Sequence, residues 1–223
     1  MQPILTPSTL NRIQRNWLSV SERRVLQWLC ARMPTFITPD RLTSIGMVGA
    51  VMVFVGYLAS NVDVAWLFLS IVGYVVQWFG DSMDGSLARY RNIERPAYGY
   101  FIDHSCDGLT NLLIAAGIGL SPFVNMGIAM FALAGYLLMS IHVFLVARVN
   151  DEMRLSYLSI GPTELRLILI AMTAAMIFIV PAGDNCSVYI FDIIVFIIGS
   201  ILVSLFIVKT LSIGRWLRRQ GGG

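Results

Sequence analysis

The chain has 223 residues, 57% of them hydrophobic and 13% charged, with a mean hydropathy of +0.72. A soluble domain is nearer half apolar and about a quarter charged, so this composition excludes that class and indicates a polytopic membrane protein in one domain. The net charge of +3 says little as a total and no nucleic-acid partner is expected; Cys30, Cys106 and Cys186 lack metal-ligand spacing and make no disulfide framework.

Residues 1–20 are polar with scattered apolar residues, and read as a loosely ordered arm without a signal peptide. Ser21 is placed to cap a short helix through about Met33, in which Val25, Leu26, Leu29 and Met33 recur at helical spacing beside Trp28. Arg23, Arg24 and Arg32 lie on or near its polar side. This suits an interfacial helix on a membrane surface, with an ordinary packing helix as the plainer alternative. Pro34 and Pro39 interrupt the chain before the first span.

A spanning helix needs roughly 20 mostly apolar residues. The stretches that qualify are about 43–60, 64–90, 103–120, 123–148, 164–181 and 189–213. The expected fold is therefore an all-α polytopic membrane protein, six transmembrane helices preceded by an N-terminal interfacial amphipathic helix. Its expected parts are a cytoplasmic arm and interfacial helix at 1–40, a six-span domain at 41–219, and a tail at 220–223 read as a remnant of cloning. His142, inside the fourth span, reads as a satisfied core histidine.

Positive charge orients the spans. The connections at 61–63, 121–122 and 182–188 carry no Lys or Arg, so all 16 basic residues fall on one side. Both termini and the segment between spans two and three are then cytoplasmic, and the even span count agrees. The expected location is an integral protein of a bacterial inner membrane with a cytoplasmic active site. No internal repeat is found, so an inverted-repeat transporter gains no support.

Four carboxylates, Asp81, Asp84, Asp103 and Asp107, stand at the edges of spans two and three. On helices, Asp81 and Asp84 share a face with Gly85 and Ala88, and Asp103 and Asp107 share one with Gly99. Carboxylates at membrane depth are costly and therefore functional candidates. Grouped like charges take up protons or gather cations. Oxygen-only ligands favour Mg²⁺ or Mn²⁺, and four carboxylates can hold two such ions, a clamp suited to phosphoryl chemistry. Gly85 and Ala88 leave a smooth face for a nucleotide, and Arg89 on the next turn can pair with phosphate.

The spacing Asp81-x-x-Asp84-Gly85-x-x-Ala88-Arg89, nine residues, Gly99-x-x-x-Asp103-x-x-x-Asp107 resembles the signature of the CDP-alcohol phosphotransferase family. The six-span layout is similar to that family as well. The resemblance implies transfer of a phosphatidyl or other substituted phosphoryl group from a CDP-linked donor to an alcohol hydroxyl, with CMP leaving. It implies that Asp81, Asp84 and Asp103 bind metal, that Asp107 both touches metal and acts as general base, and that Gly85, Ala88, Arg89 and Gly99 line the CDP site. A homodimer is implied on the same ground. The donor expected is a CDP-linked lipid, CDP-diacylglycerol, because the entry Pro39-Asp40-Arg41-Leu42-Thr43 is similar to the CDP-lipid site of short family members. A plain helix start explains that entry equally well.

The gap from Arg89 to Gly99 is one residue longer than in many relatives, and Pro96 replaces a common Ser or Thr, so Arg91 or Arg95 is expected to supply the phosphate contact. The run Asp103-His104-Ser105-Cys106-Asp107 resembles choline and ethanolamine phosphotransferases and adds the alternative of CDP-choline-type transfer to diacylglycerol. Thr163 is placed to cap span five, with Glu164 and Arg166 as candidate acceptor contacts. A carboxylate-based cation transporter is the competing class. It predicts acids along a path through the bilayer, whereas these cluster at one face.

Overall fold

The computed structural model describes residues 19–150, 162–179 and 185–220. Arg12, Arg15, Arg154 and the closing glycines lie outside these. Among the described residues the chain is helical: α1 (Ser19–Arg32), α2 (Pro39–Ala59), α3 (Leu67–Tyr90), α4 (Pro96–Leu120), α5 (Met126–Asn150), α6 (Pro162–Ile179) and α7 (Asn185–Gln220), with a 3₁₀ turn at Val64–Trp66. Thr38 is extended and its hydroxyl accepts from the Arg41 amide at 3.3 Å, with Pro39 in the first helical turn. A capping hydroxyl followed by proline starts a helix because both answer its unpaired amide end. Asp63 caps the 3₁₀ turn through the Ala65 amide at 2.8 Å.

Among the described residues four segments, Pro39–Ala59, Val64–Tyr90, Met126–Val149 and Ile190–Arg219, are long and apolar enough to cross a membrane. The expectation of six spans meets a physical reason here. In α4 the polar run from Asp103 to Asp107 dilutes the apolar stretch, and α6 has 18 residues with Glu164 and Arg166 in its first two turns. At about 1.5 Å per residue, the 36 residues of α7 exceed the ~30 Å hydrocarbon layer.

The most extensive packing is between α2 and α3, and its cause is glycine. A Cβ on Gly80 would lie 2.3 Å from the Gly46 amide nitrogen and 2.5 Å from the Leu42 carbonyl. A Cβ on Gly49 would lie 2.4 Å from the Gln77 nitrogen. The two backbones touch where side chains would otherwise separate them, as small-residue seams allow in membranes. The larger core joins α2 and α3 to α4, α5, α6 and α7 around Tyr57 and Tyr74, and Tyr57 shares a 2.6 Å hydrogen bond with Thr173 of α6. A smaller core unites Leu26 and Cys30 of α1 with Leu42, Met83 and Leu87.

Several boundaries differ from expectation. Helix α1 starts at Ser19, so Ser21 is inside it, and its apolar stripe is split: Leu26 and Cys30 are buried while Val25 and Trp28 are exposed. The α4 helix begins at Pro96, seven residues before the span expected at 103, and α7 runs on to Gln220. Thr163 lies within α6, and its hydroxyl donates to Glu22 at 3.0 Å in place of capping. His142 is buried and shares a 3.1 Å hydrogen bond with Thr210, as a core histidine should.

Candidate active site

The last turns of α3 carry Asp81 and Asp84, and the first half of α4 carries Asp103 and Asp107. All four line one cleft with Thr43, Gly46 and Met47 of α2, Gln77 of α3, and Cys106 and Thr110 of α4. The empty space is about 240 Å³, including the part open to solvent. The glycine seam is what admits α2 to this site: even at Gly46 a Cβ would come within 3.3 Å of the Asp81 amide.

Each acid is held differently. Thr43 Oγ1 donates to Asp84 Oδ2 at 2.6 Å, and the Gly85 amide donates to Asp84 Oδ1 at 2.5 Å. Arg166 of α6 donates to Asp81 Oδ2 at 2.6 Å, with side chains 12% and 25% exposed. His104 Nδ1 stands 3.8 Å from Asp107 Oδ2, and its ring meets Tyr100 and Phe144 edge-on. Donor atoms of Asp103, His104 and Asp107 lie within 4.8 Å of one another, a grouping that could hold a metal ion. Carboxylates grouped in a partly enclosed site repel one another until a cation enters, and the oxygen-rich donors suit a hard divalent ion.

The other candidates fall into three places. Gly85, Ala88 and Arg89 follow Asp84 on α3; the exposed Arg89 reaches Ser86 Oγ at 3.4 Å and its guanidinium flanks the open side of Gly85. At Gly99 no atom lies within 4 Å of where a Cβ would stand, so this face of α4 is open. Of the entry to α2, Thr43 reaches the acids, whereas Leu42 is buried in the smaller core, Arg41 bonds the Phe36 carbonyl and Asp40 pairs with Arg95. Arg91 is turned away from the cleft and donates to the carbonyls of Met33, Pro34 and Ile37 at 3.0, 2.8 and 2.6 Å. Glu164 is half-buried in the first turn of α6.

Sequence reasoning missed Gln77, Cys106 and Thr110 as lining residues, and His104 as a neighbour of the acids. For His104 and Cys106 the signal was their place between Asp103 and Asp107. It also missed Glu22, whose carboxylate accepts from Trp78 Nε1 at 2.9 Å and from Thr163 Oγ1 at 3.0 Å.

Residues 36–208 match the sequence profile of a family described as CDP-alcohol phosphatidyltransferase. Over 127 residues, 51% of this chain, the sequence is 28% identical to Cholinephosphotransferase 1 of Danio rerio. The match covers 33% of that protein, so the chain spans about a third of the length of this relative.

Proposed function

The chain belongs to the CDP-alcohol phosphatidyltransferase family, and from that premise we propose that it is an integral membrane enzyme of phospholipid synthesis. It transfers a substituted phosphoryl group from a CDP-linked donor to an alcohol hydroxyl and releases CMP. The observation that carries this is the convergence of Asp81, Asp84, Asp103 and Asp107 on one cleft. These four residues would hold two divalent ions, Mg²⁺ or Mn²⁺. Ions held by these residues would neutralise the donor's diphosphate and stabilise CMP as the leaving group.

The chain's own residues supply the rest. Asp107 removes the proton of the acceptor hydroxyl, whose oxygen attacks the phosphorus distal to the cytidine; the bond from that phosphorus to the bridging oxygen breaks, and CMP carries the bonding electrons away. Thr43 orients Asp84 through its hydrogen bond. Gly85, Ala88, Arg89 and Gly99 border the CDP moiety, and Glu164 with Arg166 stands on the acceptor side. Arg91 braces the connection before α2, and Arg95 with Asp40 borders the donor entrance.

We place the lipid on the donor, as CDP-diacylglycerol, because Thr43 of the Pro39–Thr43 entry is built into the acid cleft. A second reading transfers phosphocholine or phosphoethanolamine from a CDP-alcohol to diacylglycerol, and the similarity to a cholinephosphotransferase favours it. In the six-span arrangement α4 and α6 also cross the membrane, α1 lies at the interface, and the acid cleft and both termini face the cytoplasm of a bacterial cell. The enzyme works as a homodimer.

The test is CMP release by purified protein given CDP-diacylglycerol with a panel of alcohols, or CDP-choline and CDP-ethanolamine with diacylglycerol. No CMP from any pair overturns the enzyme reading, and the productive donor decides between the two. Metal dependence gives a further prediction. Protein treated with EDTA should lose CMP release and regain it on adding Mg²⁺ or Mn²⁺. Asp81→Asn should weaken Mn²⁺ binding, read by electron paramagnetic resonance, by about tenfold or more as the charge of one ligand is lost.

A further inference from the structure

We propose that Glu22 of α1 is a positioning residue for the site: it fastens the first turn of α6 to α3 and so determines how Arg166 sits on Asp81. This rests on the reading that Asp81 is a metal ligand. Glu22 lies in the first turn of α1 and its carboxylate is half-buried between two other helices. It accepts from Trp78 Nε1 of α3 at 2.9 Å, and from Thr163 Oγ1 of α6 at 3.0 and 3.2 Å through its two oxygens. Ser82 Oγ of α3 stands at 3.5 Å.

The register of these donors matters. Trp78 precedes Asp81 by one helical turn on α3, and Thr163 precedes Arg166 by one turn on α6. Residues three apart share a helix face. One carboxylate therefore grips both helices one turn away from the ion pair they make, Arg166 to Asp81 at 2.6 Å. Direct packing of α3 on α6 is much slighter than that of α3 on α2, so this bridge adds to a small set of contacts between them.

The ion pair has a chemical consequence. Arg166 occupies Asp81 Oδ2, an oxygen a divalent ion would use. Guanidinium and metal compete for that carboxylate, so Arg166 lowers the intrinsic metal affinity. Glu22, by holding α6 in place, sustains that competition. A helix that packs on the outside of the bundle is in this way connected to metal occupancy.

The experiment measures Mn²⁺ binding to purified protein in detergent by electron paramagnetic resonance, without substrate. Arg166→Ala should tighten binding by about tenfold, and Glu22→Ala by about threefold, as expected for groups coupled through one network. In the Arg166→Ala background, Glu22→Ala should change nothing further. Thr163→Val, which leaves α1 untouched, should reproduce the effect of Glu22→Ala and guards against a variant that fails to fold. Glu22→Gln keeps an acceptor oxygen and should hold the affinity within about twofold of the unaltered protein, since a neutral acceptor still takes both hydrogen bonds. Saturable binding with unchanged affinity in both Glu22→Ala and Thr163→Val overturns this inference alone, as does additivity with Arg166→Ala. No saturable Mn²⁺ binding in the unaltered protein overturns the metal reading and this inference with it.

Discussion

Asp107→Asn should lower the rate of CMP release by at least about 100-fold, the lower end of what a positioned general base contributes. Its surroundings suit proton transfer better than those of Asp81 or Asp84. Asp84 has both oxygens engaged, by Thr43 and by the Gly85 amide, and Asp81 carries Arg166. Asp107 has the His104 nitrogen at 3.8 Å, beyond hydrogen-bonding distance, and its side chain is 41% exposed. An oxygen not already committed can turn to an incoming hydroxyl. The amide of Asn keeps shape and one acceptor oxygen but takes up no proton. Two measurements separate the roles: single-turnover CMP release and Mn²⁺ affinity. A rate that falls less than tenfold would remove Asp107 from the position of base. A rate loss fully matched by the loss in Mn²⁺ affinity would reduce it to a ligand.

The largest effect on stability is expected at Gly80. Gly80→Val should destabilise the folded protein by about 1–3 kcal/mol or more, the range for forcing extra atoms into a close-packed contact. The neighbours of a new Cβ would be backbone atoms of Gly46 and Leu42, at 2.3 and 2.5 Å, and backbone cannot swing aside as a flexible side chain does. To accommodate it α2 must withdraw from α3, and with it Thr43 from Asp84. Melting in detergent should therefore shift sharply downward, and CMP release should fall in the protein that remains folded. Gly99→Ala is the contrast: nothing stands within 4 Å of its new carbon, so melting should stay the same or rise slightly, as alanine favours the helix. Equal melting of Gly80→Val and the unaltered protein would show that the seam is not what holds α2 and α3 together.

The acid site was legible in the sequence because its spacing is local. Asp81 with Asp84, and Asp103 with Asp107, are each one turn apart on a single helix, and periodicity alone puts each pair on one face. The partners of those acids were less legible. Thr43 stood in a segment that also reads as a plain helix start, and Arg166 lies 85 positions from Asp81. Arg91 looked like a phosphate contact by its charge, whereas its acceptors are backbone carbonyls of the turn before α2, which no side-chain pattern announces. Glu22 was a lone acid in a basic helix and gave no hint of reaching α3 and α6. The glycine seam did leave a trace. Gly49 and Gly56 on α2, and Gly73 and Gly80 on α3, are each seven positions apart, the small-residue repeat of helices in close contact, although by hydropathy alone the same residues pass for ordinary apolar span.

That seam also bears on the order in which the protein can assemble. Helices α2 and α3 are joined through residues 60–66, so their contacts are local in the chain and can form early. Asp84 meets Thr43 within this hairpin, and both are synthesised before α4 exists. Asp103 and Asp107 arrive with the next helix, and Arg166 only after α5. During synthesis the first pair of acids is therefore in place on a finished hairpin while the second pair and the guanidinium are still to come. An interruption after α3 would leave Asp81 on the hairpin without the Arg166 guanidinium that later pairs with it.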